Sequence, residues 1–270
     1  FLSMIDNCNI IKKAMLKFYE GEIDGMQVVT LFSGVCKVNA AIATQILIDH
    51  FNVNIVINAG TAGGMNPKLK IFDTVISTEV CYHDVAQDTL TEFHPWLKTV
   101  FFKADQDLIK ISKRAVKNIE SKNKVFWGRI VTGEAFITDM GRKKINDEFA
   151  PLAVDMETAS IAHVCYVNKI PFLSIRCITD TAEHKGVENF EKNCVKSSII
   201  AKNMTLAILK EYRNLVEQGV LNKTKEDEVL IVYDGLINNC KDDIKKLEDK
   251  LETLECNKQK YSENLKKKLF

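Results

Sequence analysis

The sequence has 270 residues, 46% of them hydrophobic, and a formal net charge of +1, which is enough apolar material for one large core. The balanced charge excludes the strong basic field that nucleic-acid binding needs, and no run of about eighteen apolar residues offers a membrane span. Eight cysteines occur without a C-x-x-C pair. The charge and hydropathy leave small molecules as the expected partners, while Cys36, Cys81, Cys165 and Cys177 lie in apolar segments and read as reduced core residues, which points to the cytoplasm.

Residues 1–7 have neither an initiator methionine nor the basic start of a signal peptide and read as the interior of a longer sequence. Met26–Phe32 predicts a strand. Lys37–Phe51 predicts a helix whose mainly apolar face runs through Val38, Ala41, Ile42, Gln45 and Ile46. A buried strand over 54–58 enters a loop, Asn58-Ala-Gly-Thr-Ala-Gly-Gly64, where glycine lets the backbone approach a ligand; a phosphate cradle and a plain tight turn are the competing readings. A strand over 72–80 follows. Residues 105–119 predict a helix with Leu108, Ile109, Ile111 and Ala115 inward, and 126–131 a strand leading to Thr132.

The next segment is the most informative. Residues 153–156 read as a strand, 157–168 as a helix and 172–178 as a second strand, and the right-handed crossover of such a unit makes its strands parallel. Glu157 and Asp180 then share the carboxyl edge of the sheet, where open α/β sheets bind ligands. Each acid also has a plain structural reading, Glu157 as a first-turn residue complementing the helix dipole and Asp180 as an N-cap. Residues 188–218 are mostly helical. The fold class is a three-layer α/β domain with a central mixed sheet over 1–218. A charged tail covers 219–270, with Leu230, Tyr233, Ile237, Cys240, Ile244 and Leu247 opening a heptad seam that is clearest over 237–265. A helical tail of this kind reads either as a coiled coil that serves association or as a solvated helix folded back on its own domain, and its removal from residue 223 onward is expected to leave the pocket intact.

Several motifs stand in a recognisable order: Ser33-Gly-Val-Cys-Lys-Val-Asn-Ala-Ala41, Asn58 to Gly64, Tyr82-His-Asp84, Thr132-Gly-Glu-Ala-Phe-Ile137, Met156-Glu157 and Arg176 before Asp180. Together they make the chain similar to the 5′-methylthioadenosine/S-adenosylhomocysteine nucleosidases, from about Phe18 to Tyr212. The resemblance implies a homodimer that uses no cofactor and binds an adenine nucleoside. Thr61, Ala62 and Gly63 would line its pocket, Phe136 would stack on adenine and Ile137 would read the base edge through its main chain. Met156 would lie beside the sugar and Phe190 around the thioalkyl end. The family also has a first strand followed by an acid that activates water, and the alignment places that acid about one helical turn before Phe1.

Chemistry then divides the two carboxylates. Cleaving a purine glycosidic bond requires a proton for the leaving base and stabilisation of a positive ribosyl centre. Asp180 suits the first task, with Thr179 and Arg176 in support. Glu157 suits the second by accepting hydrogen bonds from the ribose hydroxyls. Phosphorolytic relatives carry an arginine where this chain has Asn58-Ala59, so water is the expected nucleophile. Histidine spacing predicts no metal site. A related phosphorylase, a futalosine hydrolase and a non-catalytic binding protein are the alternatives.

Overall fold

A computed structural model of the chain describes residues 1–93, 97–119, 122–137, 139–182, 186–221 and 229–233. After a single 3-10 turn at Leu2–Met4, β1 (Asp6–Lys13), β2 (Leu16–Ile23) and β3 (Met26–Phe32) form an antiparallel meander. Its two-residue turns, Ala14-Met15 and Asp24-Gly25, all have positive φ, the geometry that matches the twist of paired strands. β1 is exposed along almost its whole length. Its lysines and lack of a buried face suit an edge strand that must not recruit another chain.

α1 (Lys37–Phe51) has the expected bounds but a different inner face. Ala40, Ala43, Thr44, Leu47 and Phe51 are buried, while Val38 and Ile42 are 68% and 44% exposed. Small residues permit close contact with α5 (Thr158–Asn168), and the larger aliphatic side chains turn outward. β4 (Ile55–Gly64) runs through the glycine-rich segment expected to be a loop, because both its neighbours continue to pair with it there. Next come β5 (Thr74–Tyr82), α2 (Gln87–Glu92), β6 (Phe102–Lys103) and α3 (Gln106–Lys117), the last capped by Asp105. β7 (Val125–Thr132), α4 (Asp139–Phe149), β8 (Ala153–Asp155), α5, β9 (Phe172–Asp180) and α6 (Gly186–Glu217) follow.

β4, β9, β5, β7 and β8 pair in a closed circuit, with β4–β9, β5–β7 and β7–β8 parallel and the other two pairings antiparallel. The mixed sheet is therefore partly a small barrel, which removes edges around the strand ends that carry the acids. Leu47, Phe51, Ile161 and Cys165 cover one side together with Val29, Val56 and Ile178. On the other, Leu108, Ile111 and Ile208 pack with Ile57, Ile76, Leu173 and Ile175. Three layers result, as expected.

The chain's later part differs from expectation. Val229–Tyr233 is a strand, β10, lying parallel between β3 and β4. The compact unit that contains the sheet extends to Gly235, not 218. Leu230 and Tyr233 therefore belong to the sheet and not to a heptad seam, because a continuous apolar run satisfies a strand paired on both edges. The seam over 237–265 lies outside the described residues. Among the described residues no helix is long and apolar enough to cross a membrane.

Candidate active site

The carboxyl end of β4 organises the site. Gly63 pairs with Val154 of β8 on one side and Asp180 of β9 on the other. With neighbouring strands about 4.8 Å apart, the chains leading to the two acids are held roughly 10 Å from each other. A Cβ at Gly63 would lie 3.2 Å from Asp180 Oδ2 and 3.3 Å from Val154 Cγ1. A side chain there would press on the carboxylate and on Val154, each of which would have to give by a few tenths of an ångström.

Glu157 precedes α5 and is only 6% exposed. It does not cap the helix. Asp155 does so instead, its Oδ1 accepting the Glu157 and Thr158 amides at 3.2 and 3.1 Å and the Thr132 hydroxyl at 2.6 Å. Glu157 thereby takes no part in capping, and its Oε1 accepts the Cys36 amide at 2.9 Å. Cys36 holds φ +78° to present that amide, a backbone conformation that favours glycine. Burial first, then Glu134, pushes its thiol up to about 11.

Arg176 is 1% exposed and binds this half together. Its Nε lies 2.8 Å from Asp155 Oδ2 and its Nη2 lies 3.8 Å from Glu157 Oε2. Further bonds run to the Thr158 hydroxyl, to Asn58 Oδ1 at 2.6 Å and to the Thr61 carbonyl at 3.3 Å. Four elements are tied at one guanidinium, whose planar fork suits several acceptors at once. Arg176 is thus placed to position Glu157 and β4.

Asp180 closes β9 and is 2% exposed; α6 begins only at Gly186, so it caps no helix. Its Oδ1 accepts the Thr179 hydroxyl at 2.9 Å, and Arg142 of α4 holds Nη2 3.7 Å from its Oδ2. Burial raises its pKa above the ordinary carboxylate range, and neither the hydroxyl nor Arg142 cancels that effect. Asn193 and Ser197 of α6 donate to the Thr179 and Ile178 carbonyls and fix the strand end.

The other expected pocket residues lie on β4, beside Glu157, on the loop after β7 and on α6. Thr61 and Ala62 lie on β4 between its pairings to the two acid-bearing strands. Met156, half-buried, immediately precedes Glu157. Phe136 is 38% exposed and meets Phe190 of α6 edge-on, ring centroids 5.9 Å apart. Ile137 packs on the Met65, Cys81, Val131 and Val154 cluster. The loop carrying Phe136 is clamped: Asp84 pairs with Lys37 at 2.9 Å and accepts the Glu134 amide, while Glu134 accepts the Lys37 amide. Burial pushes Asp84 up, but Lys37 and that amide outweigh it and lower its pKa. The Tyr82-His-Asp84 motif therefore holds a loop.

Asp155, Thr158, Arg142, Asn58 and the Cys36 amide escaped the sequence reading. Asp155 had a visible signal, an acid placed two and three residues before the first amides of α5. Arg142 had none, since its contact joins α4 to β9. Among the described residues no group of three or more His, Cys, Asp or Glu side chains is arranged to hold a metal.

A glycine-rich strand end between two acid-bearing strands, inside a three-layer α/β fold with a mixed sheet, defines the phosphorylase superfamily, and residues 5–210 match that family. Within it the chain belongs to the 5′-methylthioadenosine/S-adenosylhomocysteine nucleosidases. It is 39% identical to the enzyme of that name from Exiguobacterium over 72% of this chain and 84% of the relative, and 37% identical to that of Geobacillus kaustophilus over 78% and 92%. The nucleosidase from Colwellia psychrerythraea, solved with adenine, superposes with a TM-score of 0.71 at 34% identity, covering 78% of this chain and 88% of that one.

Proposed function

We propose that the chain hydrolyses the N-glycosidic bond of 5′-methylthioadenosine, S-adenosylhomocysteine or both, releasing adenine. The observation that carries this reading is the unlike state of two buried carboxylates on either side of the Gly63 strand: burial raises the pKa of Asp180, and Glu157 is held by an amide and faces Arg176. Its raised pKa suits Asp180 to share a proton with purine N7, which makes adenine a better leaving group. Glu157 accepts the ribose hydroxyls, and its charge favours the oxocarbenium-like sugar. Phe136 stacks on the base, Ile137 reads its edge, Thr61, Ala62, Gly63 and Met156 line the sugar side, and Phe190 borders the thioalkyl end.

Water is the acceptor. The nearby cations are engaged, Arg176 with Asp155, Arg142 with Asp180 and the Gly64 carbonyl, and Lys37 with Asp84. A phosphate dianion would lose hydration there for little Coulombic return. Adenine release from 5′-methylthioadenosine should proceed at the same rate with and without phosphate. Strict dependence on phosphate would make the chain a phosphorylase.

The assembly we propose is a homodimer that completes the pocket. The outward Val38 and Ile42 of α1 and Tyr166 and Val167 of α5 lie on neighbouring helices and support an apolar interface. Light scattering should give twice the chain mass, and aspartate at Val38 and Ile42 should halve it. The cysteines among the described residues are free, which supports a reducing compartment such as the cytoplasm.

A further inference from the structure

β10 pairs through its whole length on both edges, with residues 28–32 of β3 and with residues 55–59 of β4. Around that slot Val28, Val29, Leu31, Val56, Ile57 and Ala59 are buried. The strand itself reads Val-Leu-Ile-Val-Tyr, a continuous apolar run of the kind that parallel strands carry when covered on both faces. At a strand spacing of about 4.8 Å, β10 keeps β3 and β4 about 10 Å apart.

That separation reaches the site directly. β3 leads into the 33–36 loop whose Cys36 amide holds Glu157, and β4 leads into the glycine arm against Asp180. Tyr233 pairs with Phe32 and Ala59, the residues just before Ser33 and Gly60. β10 therefore ends level with the starts of the 33–36 loop and of the glycine arm. We propose that Val229–Tyr233, a segment that follows the long α6 and stands outside the family match at 5–210, is a positioning element of the nucleoside site that fixes the gap between the Glu157 cradle and the glycine arm. Loosening it takes the hydrogen-bond partners from the facing N–H and C=O groups of β3 and β4 and lets the loop shift relative to the arm.

Hydrogen exchange on the full chain tests this, and only its activity arm rests on the nucleosidase reading. Amides of 229–233 should exchange as slowly as those of 55–59. Ile231→Pro removes a ladder N–H from a strand paired on both sides. It should speed exchange at 28–32 and 55–59 at least tenfold and slow adenine release at least tenfold. Ile231→Gly keeps the N–H and should fall between the two, which covers a proline chain that fails to fold. A chain ending at Gly235 should retain protection of β3 and β4. Unprotected amides at 229–233 in the full chain, or wild-type protection in the proline variant, would overturn the proposal. Protection at 229–233 without any adenine release would uphold the strand's role and count against the reaction.

Discussion

The two carboxylates of the site are equally buried but differently surrounded. Glu157 meets an amide and a guanidinium, within a half of the site where Asp155, Thr158 and Asn58 satisfy the remaining donors. Asp180 meets a hydroxyl, a glycine strand and a more distant arginine, and burial prevails. Surroundings, not residue type, thus set the two apart, and the proposed roles follow that difference, the sugar for Glu157 and the leaving base for Asp180.

Breaking the Asp180 side should produce the largest effect. Asp180→Asn keeps the shape but has no proton to deliver, so kcat for adenine release should fall about a hundredfold to ten-thousandfold. Stability should not fall with it. A carboxyl whose folded pKa is raised contributes most below its unfolded pKa, and that contribution is lost as pH rises through the folded value. The asparagine variant should therefore melt at or above the wild-type temperature at neutral pH and lose its advantage in acid.

On the Glu157 side, Arg176→Met leaves Asp155 buried without its counter-charge. It should cost about 3–5 kcal/mol in denaturant unfolding, unlike Asp180→Asn. If the two variants unfolded alike, the contrast between the halves would fail.

Arg142→Met sharpens the comparison through pH. Arg142 lowers the pKa of Asp180, so its removal raises that pKa further. On the proposal that Asp180 acts as the acid, the alkaline fall of the rate profile should move to higher pH, with the direction read from kcat against pH. A shift to lower pH would show that another group controls that limb. The smallest effect is expected at Cys36. Cys36→Gly relieves a positive φ at some entropic cost and should stabilise the fold by about 1 kcal/mol, seen as a modest rise in melting temperature with Glu157 still bound by the amide.

Much of the fold was legible because its central elements bury apolar runs. Met26–Phe32 and Lys37–Phe51 have the expected bounds, and Thr158–Asn168 and Phe172–Asp180 differ by one or two residues. The meander was missed because β1 buries nothing and so has no period to read, although Asp24-Gly25 is a turn signal. The inner face of α1 was misassigned because Ala40, Ala43 and Thr44 pack inward by virtue of being small, a choice made by α5 and invisible in α1 alone. β10 was read with the charged tail because its partners, β3 and β4, are distant in sequence. At the site, Glu157 and Asp180 were legible as acids at strand ends, but the parallel crossover expected to join their strands is not formed: β8 is antiparallel and β9 parallel to β4, which stands between them, so β4 and not a crossover brings the acid-bearing chains together. The ring of Asp155, Asn58 and Arg142 was not, since tertiary contacts alone bring it together.

The division of labour is tested most directly by ground-state binding of a non-hydrolysable 5′-methylthioadenosine analogue to Asp180→Asn and Glu157→Gln side by side, by calorimetry at neutral pH. Asp180→Asn should bind within a few-fold of wild type, because an amide still bonds to the base. Glu157→Gln should weaken binding at least tenfold, because the ribose loses a charged acceptor. The reverse order, or equal losses in both, would contradict the assignment of base to Asp180 and sugar to Glu157.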